Sequence, residues 1–476
     1  MPVTTGDLCF MSGRDLAALI RSRQLSSREV MAAHLRQIER VNPVINAIVA
    51  KLDDRDCLAL ADQADRAVAR HDPVGPLHGL PWAFKDLEAV VGFPFTSGSP
   101  IFRGNMPTED TVLVERIRSA GAIPIGKTNV PEFGMGSHTY NRVYGTTRNP
   151  YDATKSAGGS SGGAAAAVAA GLMPLADGGD LGGSLRNPAS FNNVVGFRPS
   201  VGLVPLAPTP LPFLGFGVKG PLARSVGDVA FLMSVMAGSD PRDPGAYPSD
   251  PSAFGQPLER DFTGVRVAWC PDLGGLPIDD TVRTIVDRQR RTLEALGCTV
   301  EDACPDLRDA DDVFLTIRQW RTWVMLGPLL DSHRAQLKPE AVWEIEAGAL
   351  LTSADVARAM TRHASLLERF RKFQESYEFV ACAVSQVPPF DASADWPHEI
   401  NGIRMQTYIE WMKSAYWITA TFCPAISVPA GFTALGLPVG LQLVGRSRAD
   451  FCLLQLAHAV EQATGIGARR PPVSTA

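Results

Sequence analysis

Behind Ser26, with Glu29 three positions on, the stretch SSREVMAAHLRQIERVNP brings apolar residues back at Val30, Leu35, Ile38 and Val41, close to the helical period. It predicts a capped surface helix closed by Pro43, within a helical N-terminal region over residues 12–70. From Leu77 the pattern changes to short apolar runs between glycine-rich turns: LPWAFKD, AIPIGKTN and MPLADGGD read as strands, and GGSSGGAAAAVAAG as a turn entering a small-residue helix. Residues 237–264, rich in Pro, Asp and Gly, read as an exposed connection. VRVAWC, the amphipathic DDTVRTIVDRQRRTLEALG ending on Gly297, and CTVEDA then form a strand, helix, strand unit.

Residues 310–420 predict long helices and hold six of the eight tryptophans, a helical cover. PAISVPAGFTALGLPVGLQLVG returns to strand, turn and strand over residues 421–476. The fold class is therefore α/β, one large domain over residues 1–476 with a central mixed twisted sheet, helices on both faces and a helical elaboration near 310–420.

Composition narrows the function classes. Hydrophobic residues at 45% and charged residues at 20% describe an ordinary globular chain. A net charge of −5 without a Lys/Arg run points away from nucleic acid and anionic membranes, toward a small-molecule substrate. Neither a signal-peptide layout nor an 18-residue apolar run stands out, so the cytoplasm is the expected compartment. Eight scattered cysteines without a C-x-x-C pair suggest mostly buried free thiols rather than a disulfide framework, and eight dispersed histidines offer no metal-ligand spacing. No metal and no cofactor are expected.

Three short motifs compete for the chemistry. GAIPIGKT, Gly121 to Thr128, matches a phosphate-binding loop in its letters, but Ala-Ile-Pro-Ile is an apolar strand and Pro124 has no N–H to offer a phosphate. GFGVKG, Gly215 to Gly220, follows a proline-rich loop and precedes Pro221, so it reads as a loop rather than a dinucleotide turn. GGSSG, Gly158 to Gly162, fits a nucleophile elbow, which would call for an acid and a histidine downstream; His333, His363, His398 and His458 are available. Lys85, in the apolar run PWAFKD, with Ser160 and with Ser184 in LADGGDLGGSLRNPASF, suggests instead a proton relay of one lysine and two serines.

The order of Lys85, GGSSGG and GGSLRNPAS resembles the amidase signature family, whose members hydrolyse carbon–nitrogen bonds with a Ser-Ser-Lys triad. The resemblance runs through GLPWAFKD, GAIPIGKTNVPEFG, YGTTRNPYD, DLGGSLRNPAS, VGFRPSVGLVP, GPLARSVGD and the closing PAISVPAGF; residues 310–420 add little to it. It implies that 75–235 is the catalytic core, with Ser184 as nucleophile, Ser160 as bridging serine, Lys85 as base and a cis peptide from Gly159 to Ser160. Two departures stand out: Leu181 where many members have Thr, and Asn192-Asn193 where many have Cys-Gly.

The chemistry is coherent from the residues upward. Serine attacks only when a base takes its proton, and lysine is a base only when an apolar site keeps it neutral, as Pro81, Trp82, Ala83, Phe84 and Leu87 would, with strand alternation sending Asp86 to the other face. The N–H groups of Leu181, Gly182, Gly183 and Ser184 are the expected oxyanion hole, and Asp180 with Arg186 an ion pair behind it. Ser161 reads as a helix-start residue and His138 as structural or pocket-lining. Gly134, Met135, Gly136, Phe213 and Phe216 are the expected substrate contacts, which favours aryl or hydrophobic amides, with esters or carbamates as side activities. A homodimer is left open. The competing reading is the glutamine-hydrolysing component of a tRNA-dependent amidotransferase complex, which also resembles this family.

Overall fold

The computed structural model describes residues 5–474. Ser26 and Glu29 close a reciprocal capping box on the Ser27–Ile45 helix. This helix runs two residues beyond Pro43, which its last turn accommodates, and ends on Asn46 in the left-handed region at φ 52°.

Eight strands form the main sheet in the order Thr299–Asp302, Arg266–Trp269, Phe379–Ala383, Pro438–Val444, Ala425–Phe432, Val195–Arg198, Val218–Ala223, Leu175–Asp180. The first three run parallel and the remaining pairs antiparallel. Pro438–Val444 is buried at every residue, as a central strand covered on both faces must be. Gly215 to Gly220 is a loop only at its start, because Val218 already enters a strand.

Lys85 does not belong to that sheet. Pro81–Lys85 pairs parallel with Ile123–Thr128, which pairs antiparallel with Ile48–Val49, making a separate three-stranded sheet. Side chains join the two: Asp177 of Leu175–Asp180 accepts hydrogen bonds from Trp82 Nε1 at 2.9 Å and Lys85 N at 3.2 Å. An alanine-rich core fills the space where the Gly162–Ala169 helix meets the N-terminal helices and the small sheet. Small side chains are required there: a Cβ on Gly163 would stand 2.4 Å from the Asn129 backbone nitrogen.

Three further expectations change. Residues 237–264 are tied down by a 3-10 turn, Pro251–Gly255, and by buried Phe254 and Phe262 rather than lying open. The region 310–420 is helical over Ala310–Leu326, Pro339–Ala349 and Ser353–Ser376, but it also contributes Phe379–Ala383 to the main sheet. Cys270 and Cys304 form a disulfide, which distant sequence positions gave no reason to pair, while the other six cysteines are free. Among the described residues, the one cluster with metal-ligand reach is Cys270, Asp272 and Cys304, whose two sulfurs are bonded to each other. Among the described residues, no helix is long and apolar enough to cross a membrane.

Candidate active site

Lys85 is the last residue of its strand and only 1% exposed. Its Nζ lies 2.9 Å from Ser160 Oγ, 2.7 Å from Ser161 Oγ and 3.3 Å from Gly179 O. Burial, then the nearby Lys219 ammonium, pulls the Lys85 pKa down to about 7, against the opposing pull of Asp177, Glu88 and Asp180. Asp86 faces the other way, as alternation requires: its carboxylate lies 3.5 Å from Lys127 Nζ and accepts from Thr96 and Gly98 N–H groups. The lysine of the false phosphate motif is thus a buried partner of Asp86, at the end of a strand.

Ser161 corrects its expectation in part. It occupies the N-cap position of the Gly162–Ala169 helix, yet its hydroxyl makes no cap hydrogen bond and turns to Lys85 instead. Its N–H donates to Ser184 O at 3.1 Å, which stitches the two serine segments together. The Gly159–Ser160 peptide is cis.

Beyond the strand end at Asp180 the chain turns through Leu181, Gly182, Gly183 and Ser184. The Asp180 carboxylate accepts from Gly183 N at 2.9 Å and Leu185 N at 3.2 Å and pairs in bidentate fashion with Arg186, at 3.0 and 2.9 Å. Burial opposes its charge, but Arg186, Arg198 and these N–H donors outweigh that and hold its carboxyl below the usual range. Arg186 also reaches Ala415 O, Gln442 Oε1 and Thr419 Oγ1.

This geometry revises the expected oxyanion hole. The Gly183 N–H is taken by Asp180, whereas among the described residues the N–H groups of Leu181, Gly182 and Ser184 have no hydrogen-bond acceptor. Gly183 serves the turn itself: its φ is 107° and a Cβ would lie 2.5 Å from the Ala415 methyl.

Lys85, Ser160, Leu181 and Ser184 line one cavity of about 380 Å³, with Gly134, Met135, Phe95, Phe133, Leu87 and Leu113 among its walls. That size suits a small-molecule substrate. No histidine lines it; His363 and His398 bond Ala420 O and Asp395 elsewhere, and His138 is held by Ser156 and Ala392, its pKa lowered by burial to about 4. A larger open cleft of about 890 Å³ beside the Ser353–Ser376 helix contains none of these residues.

Three expected substrate contacts fall elsewhere. Phe213 is 80% exposed at a loop tip, Phe216 is buried against Phe314, His363 and Phe422, and Gly136 borders a smaller hollow with Tyr408. Residues with no sequence signal line the cavity as well: Glu88 with Lys219, and Arg318, Arg321, Thr322 and Met325 of the Ala310–Leu326 helix. Their apolar-and-cationic helix face carried no local motif that could have marked it.

A lysine held near neutrality against serine hydroxyls, beside unengaged backbone donors in a substrate-sized cavity, is the equipment of an acyl-transferring hydrolase. The amidase family model matches residues 29–454. The acylamidase of Rhodococcus erythropolis is 34% identical over 458 residues, covering 96% of each chain. A glutamyl-tRNA(Gln) amidotransferase component from Synechococcus sp. (strain CC9605) is 34% identical over 477 residues, covering 95% of this chain and 96% of that one. Among solved structures, a bacterial aryl acylamidase of the amidase signature family superposes with a TM-score of 0.90 at 28% identity, over 99% of this chain and 100% of that one. The chain belongs to the amidase family, hydrolases acting on amide carbon–nitrogen bonds.

Proposed function

We propose that the protein hydrolyses aryl or hydrophobic carboxamides through an acyl-enzyme on Ser184. Neutral Lys85 takes a proton from Ser160, Ser160 takes one from Ser184, and Ser184 attacks the carbonyl carbon. The N–H groups of Leu181, Gly182 and Ser184 hold the developing oxyanion, each such donor lowering the barrier by about 3 kcal/mol. The relay returns a proton to the departing amine, and water then releases the acid. The observation that carries this reading is the 2.9 Å contact between Ser160 and a lysine that burial brings near neutrality.

Apolar walls at Leu87, Phe95, Leu113, Phe133 and Met135 support a hydrophobic acyl or aryl group, as does the similarity to acylamidases. Esters and carbamates follow as side activities by the same acyl chemistry. Residence in the cytoplasm and a homodimeric assembly belong to the same proposal. Similarity to the glutamyl-tRNA(Gln) amidotransferase component favours a second reading, hydrolysis of glutamine within a partner complex.

The deciding experiment is intact mass after a fluorophosphonate, on the wild type, Ser184→Ala and Lys85→Ala. One adduct mapping to Ser184 and lost in both variants is expected. An adduct on Ser160 or Ser161 that ignores Lys85 would overturn the triad.

A further inference from the structure

The cavity wall supplied by the Ala310–Leu326 helix carries two guanidinium groups in different electrostatic situations. Arg318 is compensated: its Nε donates to Glu344 Oε1 at 2.7 Å, an Nη donates to Tyr408 OH at 2.6 Å, and the Tyr408 hydroxyl donates to the same Glu344 at 3.0 Å. Arg321, one turn further and half-buried, makes no hydrogen bond or ion pair among the described residues. The charge acting on it is the like-signed Arg318, which joins burial in drawing its guanidinium down to about 10.

The other ionic groups around the cavity are already matched. Lys219 pairs with Glu88, Asp180 is faced by Arg186 and Arg198, and Lys85 is brought near neutrality by burial. Arg321 is therefore the uncompensated charge of the wall. A partly desolvated cation left without a partner is unfavourable, and an incoming anion relieves it with a charge-assisted pair stronger than one in open water.

We propose that Arg321 is an anion subsite, so that the cavity takes amides bearing a carboxylate remote from the scissile bond, with their apolar portion against Phe95, Phe133 and Met135. One planar guanidinium offers the two parallel N–H groups that a carboxylate accepts, whereas a dianionic phosphate calls for further cations that this wall has already paired. Thr322 beside it adds a hydroxyl to the same lining. The inference rests on the amide-hydrolase reading and narrows its substrate class.

Binding and turnover separate the two claims. Calorimetry on the Ser184→Ala protein compares adipic acid monoanilide with hexananilide, and N-hexanoyl-4-aminobenzoate with N-hexanoyl-4-toluidine, so that the carboxylate sits on the acyl side in one pair and on the amine side in the other. In at least one pair the anionic member is expected to bind about ten-fold tighter than its neutral twin, equivalent to one paired, partly desolvated charge. Adding Arg321→Met should collapse that ratio to about one, while Arg321→Lys keeps part of it and added salt shrinks it. Equal affinities in both pairs, or a preference that survives Arg321→Met, would overturn the subsite. Hydrolysis of hexananilide by the wild type separately tests the amidase reading, and its failure leaves the binding comparison intact.

Discussion

Lys85 sits where a charge is disfavoured and a neutral amine useful. Because the base must be unprotonated, kcat/KM should rise with pH through a midpoint near 7 and then level off. Asp177 raises the Lys85 pKa, so Asp177→Asn should move that midpoint to lower pH; an unmoved midpoint assigns the acid limb to another group. Stability carries the same signature with its own sign. The folded pKa lies below the unfolded value of about 10.4, so the native state binds fewer protons across that interval. Lys85 therefore weakens the fold most at and below pH 7 and progressively less as pH rises toward 10. Lys85→Met should abolish turnover yet stabilise the protein at pH 7 by about 2 kcal/mol or more, read by denaturant unfolding.

Lys85, Ser160 and Ser184 were legible in sequence because each sits in a distinctive local string. The hydroxyl of Ser161 was not, since choosing Lys85 over the helix cap depends on a strand 76 positions away.

At the scale of elements, the turn from Asp180 to Arg186 is held by one carboxylate serving two arginines and two backbone N–H groups. Asp180→Ala leaves Arg186 and Arg198 buried without an anion, and should cost about 3–5 kcal/mol in unfolding free energy together with most of the activity. A loss below about 1 kcal/mol would mean that Gln442, Thr419 and backbone carbonyls suffice for the guanidinium groups. Strand and helix positions followed from periodicity: the capping box at Ser26, the alternation that turns Asp86 from Lys85, and the hairpin of Ala425–Phe432 with Pro438–Val444 all appear where the pattern placed them. Phe213 and Phe216 do not line the cavity with Lys85 and Ser184, because an aromatic in a loop has no periodicity to say which way it faces.

Across the whole molecule, the cover helix Ala310–Leu326 closes over the serine turn so tightly that a Cβ added at Gly182 would stand 3.1 Å from the Phe314 ring. The purified chain alone should hydrolyse a hydrophobic anilide faster than acetamide or glutamine, measured as kcat/KM with no partner protein added. Comparable or greater activity on glutamine, appearing only with a partner, would favour the amidotransferase reading.

The sequence by itself determined what is local: the strands and helices, the glycine-rich turns that carry Ser160 and Ser184, and the apolar run that buries Lys85. Tertiary structure alone decided that Lys85 lies in a sheet separate from the strand leading to Ser184, that Asp180 takes the Gly183 N–H, that Cys270 pairs with Cys304, and that Arg321 faces the cavity uncompensated. The division has a physical cause. Periodicity and turn chemistry act over a few residues, whereas electrostatic compensation and the lining of a cavity depend on which distant segments meet in space.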